Sequence, residues 1–150
     1  MGRVKLRARI DNIEDHFDVE QGRLTPDQVR FVEVDEASIG TGASMLSLPR
    51  HLIAKLGLEV IRPIRVQTAK GSGVTRLFGT VIVTIHGRDC PTEVVELLDE
   101  GPVLIGRILL EAMDLVVDPK TNTLTGNPAH GGEWTGDLYH RSYTEPTPAS

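Results

Sequence analysis

Apolar and polar residues alternate along Val4-Lys5-Leu6-Arg7-Ala8-Arg9-Ile10, the period of two expected of a strand with one buried face. The polar stretch Asp11–Thr25, which contains Gly22, reads as a connection or an edge hairpin. Alternation returns over Val29–Ala37, with Val29, Phe31, Val32 and Val34 as candidate strand positions. Strand-like segments follow at Val60–Thr68, Thr75–His86, Thr92–Leu98, Pro102–Gly106 and Leu115–Asp118. Helical spacing occurs twice. Leu52, Ile53 and Leu56 follow Pro49 and precede Gly57, a start and a stop that suit a short helix. Arg107–Met113 reads as the second helix.

The connections carry turn chemistry. Ala69-Lys70-Gly71-Ser72-Gly73 predicts a hairpin, because its glycines reach positive φ angles at little cost. His86-Gly87-Arg88-Asp89 and Pro119-Lys120-Thr121-Asn122 predict turns. After about residue 126 the chain is rich in Gly, Pro, Thr and His, and Glu145–Ser150 reads as a disordered end. No internal repeat is visible. Many short strands and two brief helices predict a mainly β, mainly antiparallel domain. The division this suggests is an N-terminal strand or extension over 1–27, a β domain over 28–127 and a flexible tail over 128–150.

At 150 residues, 39% apolar and 25% charged, the chain suits one globular domain. A net charge of −5 gives no support to a nucleic-acid partner, and the basic run Arg3, Lys5, Arg7, Arg9 reads as the solvated face of the first strand. Cys90 is the single cysteine, so no intrachain disulfide forms, and its strand-like setting suggests a small buried hydrophobe. No apolar run approaches the ~20 residues that span a bilayer, and no apolar signal region follows the basic N-terminus. Gly2 lacks the Ser or Thr that a myristoylation motif wants where Leu6 stands. A cytoplasmic location without membrane contact is the expectation.

Three segments deserve chemical scrutiny. The small-residue turn Ala37-Ser38-Ile39-Gly40-Thr41-Gly42-Ala43-Ser44 comes first, the Gly71/Gly73 hairpin about thirty residues later, and Pro102-Val103-Leu104-Ile105-Gly106-Arg107-Ile108-Leu109-Leu110 last. In order and spacing these resemble the retroviral-type (retropepsin-like) aspartic peptidases of bacteria. Their hydrophobic-hydrophobic-Asp-Thr-Gly-Ala-Ser/Thr loop matches the first segment except at Gly40. The hairpin stands where that family carries its flap, and the last segment resembles the strand, Gly-Arg turn and helix that close its core. Asp114–Pro119 through Asn127-Pro128 also resembles bacterial members, so the likeness covers roughly residues 28–130.

The resemblance implies a closed acid-protease barrel or sandwich that works as a homodimer, each subunit giving one Asp to a shared site, with no cofactor. In such a dyad two neighbouring carboxylates share one proton, since like charges so close cannot both ionise. One activates a water and the other polarises the scissile carbonyl. Gly40 stands at the catalytic position and has no side chain for either role. Asp35 and Glu36 are the nearest acids, but Asp35 lies about 16 Å back along a strand at ~3.3 Å per residue. Residues 37 to 48 contain no acid. Gly40 is either a natural divergence or an alteration of a working Asp; the small Ser38 beside Ile39 argues mildly against a single change.

By the same resemblance Thr41 hydrogen-bonds across the dimer, whereas on its own it reads as a turn Thr bonding its own backbone. Gly42 supplies backbone room. Ala43 with Lys70, Gly71, Ser72 and Gly73 would contact an extended peptide held beneath the hairpin. Arg107 is either a brace for the core turn through an ion pair or a surface residue. Other chemistries fare worse. Ser44 and Ser47 lack a nucleophile elbow, and Met45 sits where a phosphate loop would need its third glycine. His130, Glu133, Asp137 and His140 lie in a Gly-rich segment without a rigid scaffold for a metal. Two function classes therefore stand open: a peptidase-family protein that is inactive as given, and a non-catalytic peptide-binding or assembly module using the same cleft and flap.

Overall fold

A computed structural model describes residues 5–40, 45–68, 70–98, 101–118, 120–121 and 123–131. The protein is mainly β, a six-stranded closed barrel with few helices. Strands β1 (Lys5–Asn12), β2 (Phe31–Gly40), β3 (Leu46–Leu48), β4 (Glu59–Thr68), β5 (Gly71–Ile85), β6 (Arg88–Glu96) and β7 (Leu104–Gly106) form one sheet in the order β1-β2-β7-β3-β6-β5-β4. A further pairing of β1 with β5 closes the ring, leaving β4 outside it. Strands β8 (Leu115–Asp118) and β9 (Thr123–Gly126) make a small separate hairpin whose Leu115 and Leu124 join the core.

The alternation read in the first strand decides how β1 sits. Leu6, Ala8 and Ile10 are buried, while Arg7 reaches Glu33 and Asp35 of β2 on the solvent side. A register shift between Leu6 and Ala8 opposes Arg7 to an extra residue of β2, which puts both Asp35 and Glu36 outside. Strand β1 lies between β2 and β5.

Strand β5 is 15 residues long because it serves two partners. From Gly71 to Gly79 it pairs with β4, and from Val81 to Thr84 with β1, with β6 on its other edge. The exchange falls at a register shift between Phe78 and Val81. A bulge bends a strand and strengthens its twist, which is what lets one strand leave the ring as another enters. The first half of β5 therefore projects with β4 as a hairpin, while the second half is barrel wall.

Helix α2 (Arg50–Leu56) matches the reading of the sequence: Pro49 is its N-cap and Gly57, at φ +67°, its left-handed C-terminal stop. Helix α3 (Arg107–Ala112) follows β7 directly. Two expectations need correction. Asp11–Thr25 is not a plain connection or edge hairpin, since Ile13–Glu20 forms helix α1, capped by the Asn12 side chain on the Asp15 N–H. The hairpin strand begins at Gly71 rather than Thr75, and the next turn is confined to His86 and Gly87, both at positive φ. The pairings are mainly antiparallel, as expected, with β2–β7 and β3–β6 the parallel ones. The expected end at 145–150 lies outside the described residues.

Candidate functional site

The two parallel pairings build one end of the barrel. Strand β2 ends beside β7 in the register Ser38 to Leu104, Ile39 to Ile105 and Gly40 to Gly106. Strand β3 lies on the other side of β7, antiparallel, with Leu46 opposite Ile105 and Ser47 opposite Leu104. At the end of β7 the Gly106 N–H donates to the Met45 carbonyl. Thr41, Gly42, Ala43 and Ser44 lie outside the described residues. Gly40 and Gly106 pair at the end of β2, and neither carries a side chain.

Four adjacent strands align two rows there. Ile39, Ile105, Leu46 and Val94 form the row packed into the core. Ser38, Leu104, Ser47 and Val95 form the alternate row, on the opposite face. Ser38 and Ser47 are nevertheless buried, and Leu104 and Val95 of the same row are half-buried.

The hairpin stands over the neighbouring connection. Thr68 pairs with Gly71, and Gly71 adopts φ +117°, a conformation suited to glycine. Lys70, Gly71 and Ser72 are exposed. Gly73 is half-buried, and a Cβ there would come 3.1 Å from the Leu98 side chain. Glycine thus permits the hairpin to lie close on the segment joining β6 to β7. Ala69 lies outside the described residues, as do Asp99 and Glu100 of that segment.

The buried carboxylates among the described residues, Asp11, Asp15 and Glu96, are held by cationic partners. Asp11 is held by Arg9 and His16, at 2.8 Å each. Asp15 is held by Arg30, and Asp114 by His130. Asp35 is exposed and pairs with Arg7, so neither it nor its exposed neighbour Glu36 approaches the end of β2. Glu96 was not visible as a functional residue in the sequence. Only 6% exposed, it accepts from Arg76 Nε at 2.9 Å, Arg76 Nη2 at 3.2 Å and Arg50 Nε at 2.9 Å. Its backbone carbonyl accepts from the Thr75 hydroxyl at 2.7 Å. The base of the hairpin, β6 and the start of α2 are thereby tied at one carboxylate. The Arg76 guanidinium holds the Glu96 carboxyl below the usual carboxylate range, with help from Arg50 and against the burial that would raise it.

Arg107 is exposed and has no carboxylate partner among the described residues, as its surface reading supposed. Cys90 is half-buried against the core; burial, then the charge of Asp89, pushes its thiol up, away from thiolate reactivity. Among the described residues no group of three or more His, Cys, Asp or Glu is placed to hold a metal, and no helix is long and apolar enough to cross a membrane. Comparison of the sequence with protein-family models finds no match, and comparison with curated proteins finds none.

Proposed function

We propose that this chain is a retropepsin-like aspartic peptidase-family protein that pairs as a homodimer and holds an extended peptide without hydrolysing it. The observation that carries the reading is the parallel pairing of β2 with β7, which sets Gly40 beside Gly106 at the end of a closed six-stranded barrel. Gly40 at the end of β2 is where the resemblance expects the catalytic loop. The β4–β5 hairpin, closing on Leu98, supports the place of a flap.

In this reading the two residue-40 loops of the dimer face one another, and the peptide lies between them and the hairpins, bonded through its backbone as an added strand. Hydrolysis needs a proton-sharing pair of carboxylates at the loop tips. Glycine supplies none, and a two-fold axis removes both at once. Binding survives this loss because strand addition uses main-chain groups.

Restoring the acid tests the proposal. Gly40→Asp is expected to cleave a peptide library with an acidic optimum, under inhibition by a statine-type transition-state mimic, while the chain as given cleaves nothing. Sedimentation should show a dimer for both. Robust, statine-sensitive cleavage by the chain as given would overturn the proposal, and so would a folded, dimeric Gly40→Asp protein that stays inert.

A further inference from the structure

We infer that the outer edge of β4 is a docking strand for acidic, extended peptide segments. Strand β4 pairs with β5 alone among the described elements, so along its ten residues one edge of backbone groups is left for another chain. The charge around it is unlike that of the rest of the protein. Between Ala37 and Arg88 the sequence carries seven Lys or Arg and a single acid, Glu59, in a chain whose total is 16 basic against 21 acidic residues.

Several of those cations are already engaged. Arg50 and Arg76 hold Glu96, and Arg88 binds the carbonyls of Met113 and Asp114. On β4 itself, Arg62 donates only to the Pro63 carbonyl, and neither Arg62 nor exposed Arg65 has a carboxylate partner among the described residues. Glu59 opens the same strand, three positions before Arg62. Lys55 at the end of α2 is exposed nearby in sequence, and Lys70 stands at the hairpin tip.

The register fixes what an added strand would need. Arg62 pairs with buried Leu77 and Arg65 with exposed Val74, so the two arginines leave opposite faces of the hairpin. They are three residues apart, or about 10 Å along a strand at ~3.3 Å per residue. A partner strand meets both when it carries acids three residues apart, one on each face. Exposed Val60 and Ile61, at the start of β4, add apolar contact for the residues beyond the acids. Pro63 offers no N–H, so the edge is interrupted once and accepts a short segment rather than a long sheet. A matched edge favours peptide over nucleic acid, which would use the cations but not the ladder groups. The site lies outside the cleft and does not depend on Gly40.

Fluorescence anisotropy with a labelled ten-residue Val/Thr peptide carrying Glu at its fourth and seventh positions tests the inference. The glutamate peptide should bind about tenfold tighter than its Gln counterpart, as two surface charge pairs allow. Its binding should weaken with added salt. The double variant Arg62→Gln/Arg65→Gln should erase that preference while leaving the melting temperature and the Gln peptide's affinity unchanged. Amide NMR shifts should fall on 59–68, whereas occupancy of the proposed cleft would move Gly40 and Gly106 instead. Absence of binding, equal binding of the two peptides, or an unaltered preference in the variant would each overturn the inference. A thymidylate decamer binding more tightly than the glutamate peptide would assign the edge to nucleic acid instead. Should the variant misfold, the salt dependence and shift map of the unaltered protein decide the matter.

Discussion

Asp15 is 3% exposed and accepts three hydrogen bonds from one residue: Arg30 N at 2.9 Å, Nε at 2.8 Å and Nη2 at 2.9 Å. A bidentate guanidinium together with a backbone N–H is the strong form of charge pairing. The Arg30 side-chain bonds are the main cause holding the Asp15 carboxyl below its ordinary value, outweighing burial. Asp15→Ala strands Arg30 and removes the fixed carboxylate, so unfolding in urea should show a loss of about 3 kcal/mol, the low end for breaking a buried pair, because Arg30 is half-exposed. The acid limb of stability follows from the same groups. Asp15 and Glu96 both have folded pKa values below their unfolded ones. Each therefore contributes fully above the ordinary carboxylate value of about 4, and the contribution fades as pH falls through the lower folded value. Glu96→Gln should flatten the decline of urea stability below about pH 4 relative to the parent. None of this was legible in the sequence: Arg50 and Arg76 stand 46 and 20 residues from Glu96, beyond the reach of any local pattern.

Among the elements, those with local signals were legible and those held by distant partners were not. Helix α2 announced itself through Pro49, the spacing of Leu52, Ile53 and Leu56, and Gly57. Helix α1 did not, because Asp15 is its one buried residue and Phe17 is exposed, which leaves no apolar stripe to detect. It stands by its cap and its ion pair. Asn12 accepts the Asp15 N–H and sends its own amide to the Leu56 carbonyl at 2.8 Å, joining the start of α1 to the end of α2. The two helices meet again at Gly57, where a Cβ would collide with the Arg30 guanidinium. Gly57→Ala thus imposes a left-handed conformation on a residue with a side chain and pushes Arg30 off Asp15. A loss of about 2 kcal/mol is expected, above the 1–2 kcal/mol span's lower end for the backbone alone. If the coupling is real, Gly57→Ala added to Asp15→Ala should cost less than the sum of the two, a result a double-mutant cycle reads directly.

At the scale of the molecule, the ring depends on contacts far apart in sequence. Gly40 meets Gly106 across about 65 residues, and the sequence did not show that meeting, since periodicity predicts strands but not which strands become parallel neighbours. The role of the first strand was hidden in the same way: its alternation showed a buried face without showing what the face closes. Strand β1 pairs with β2 over Lys5–Asp11 and with β5 over Arg9–Asn12, so among the described strands it alone spans that gap in the ring. Its Leu6, Ala8 and Ile10 complete the core. Removing residues 1–12 would expose the edges of β2 and β5 together and withdraw three buried side chains from one cluster. Exposed edges of that kind invite pairing between chains. The truncated protein should therefore lose cooperative thermal unfolding and aggregate. A soluble protein with a sharp transition after loss of 1–12 would mean that the barrel closes without β1, and would return that segment to the status of an extension.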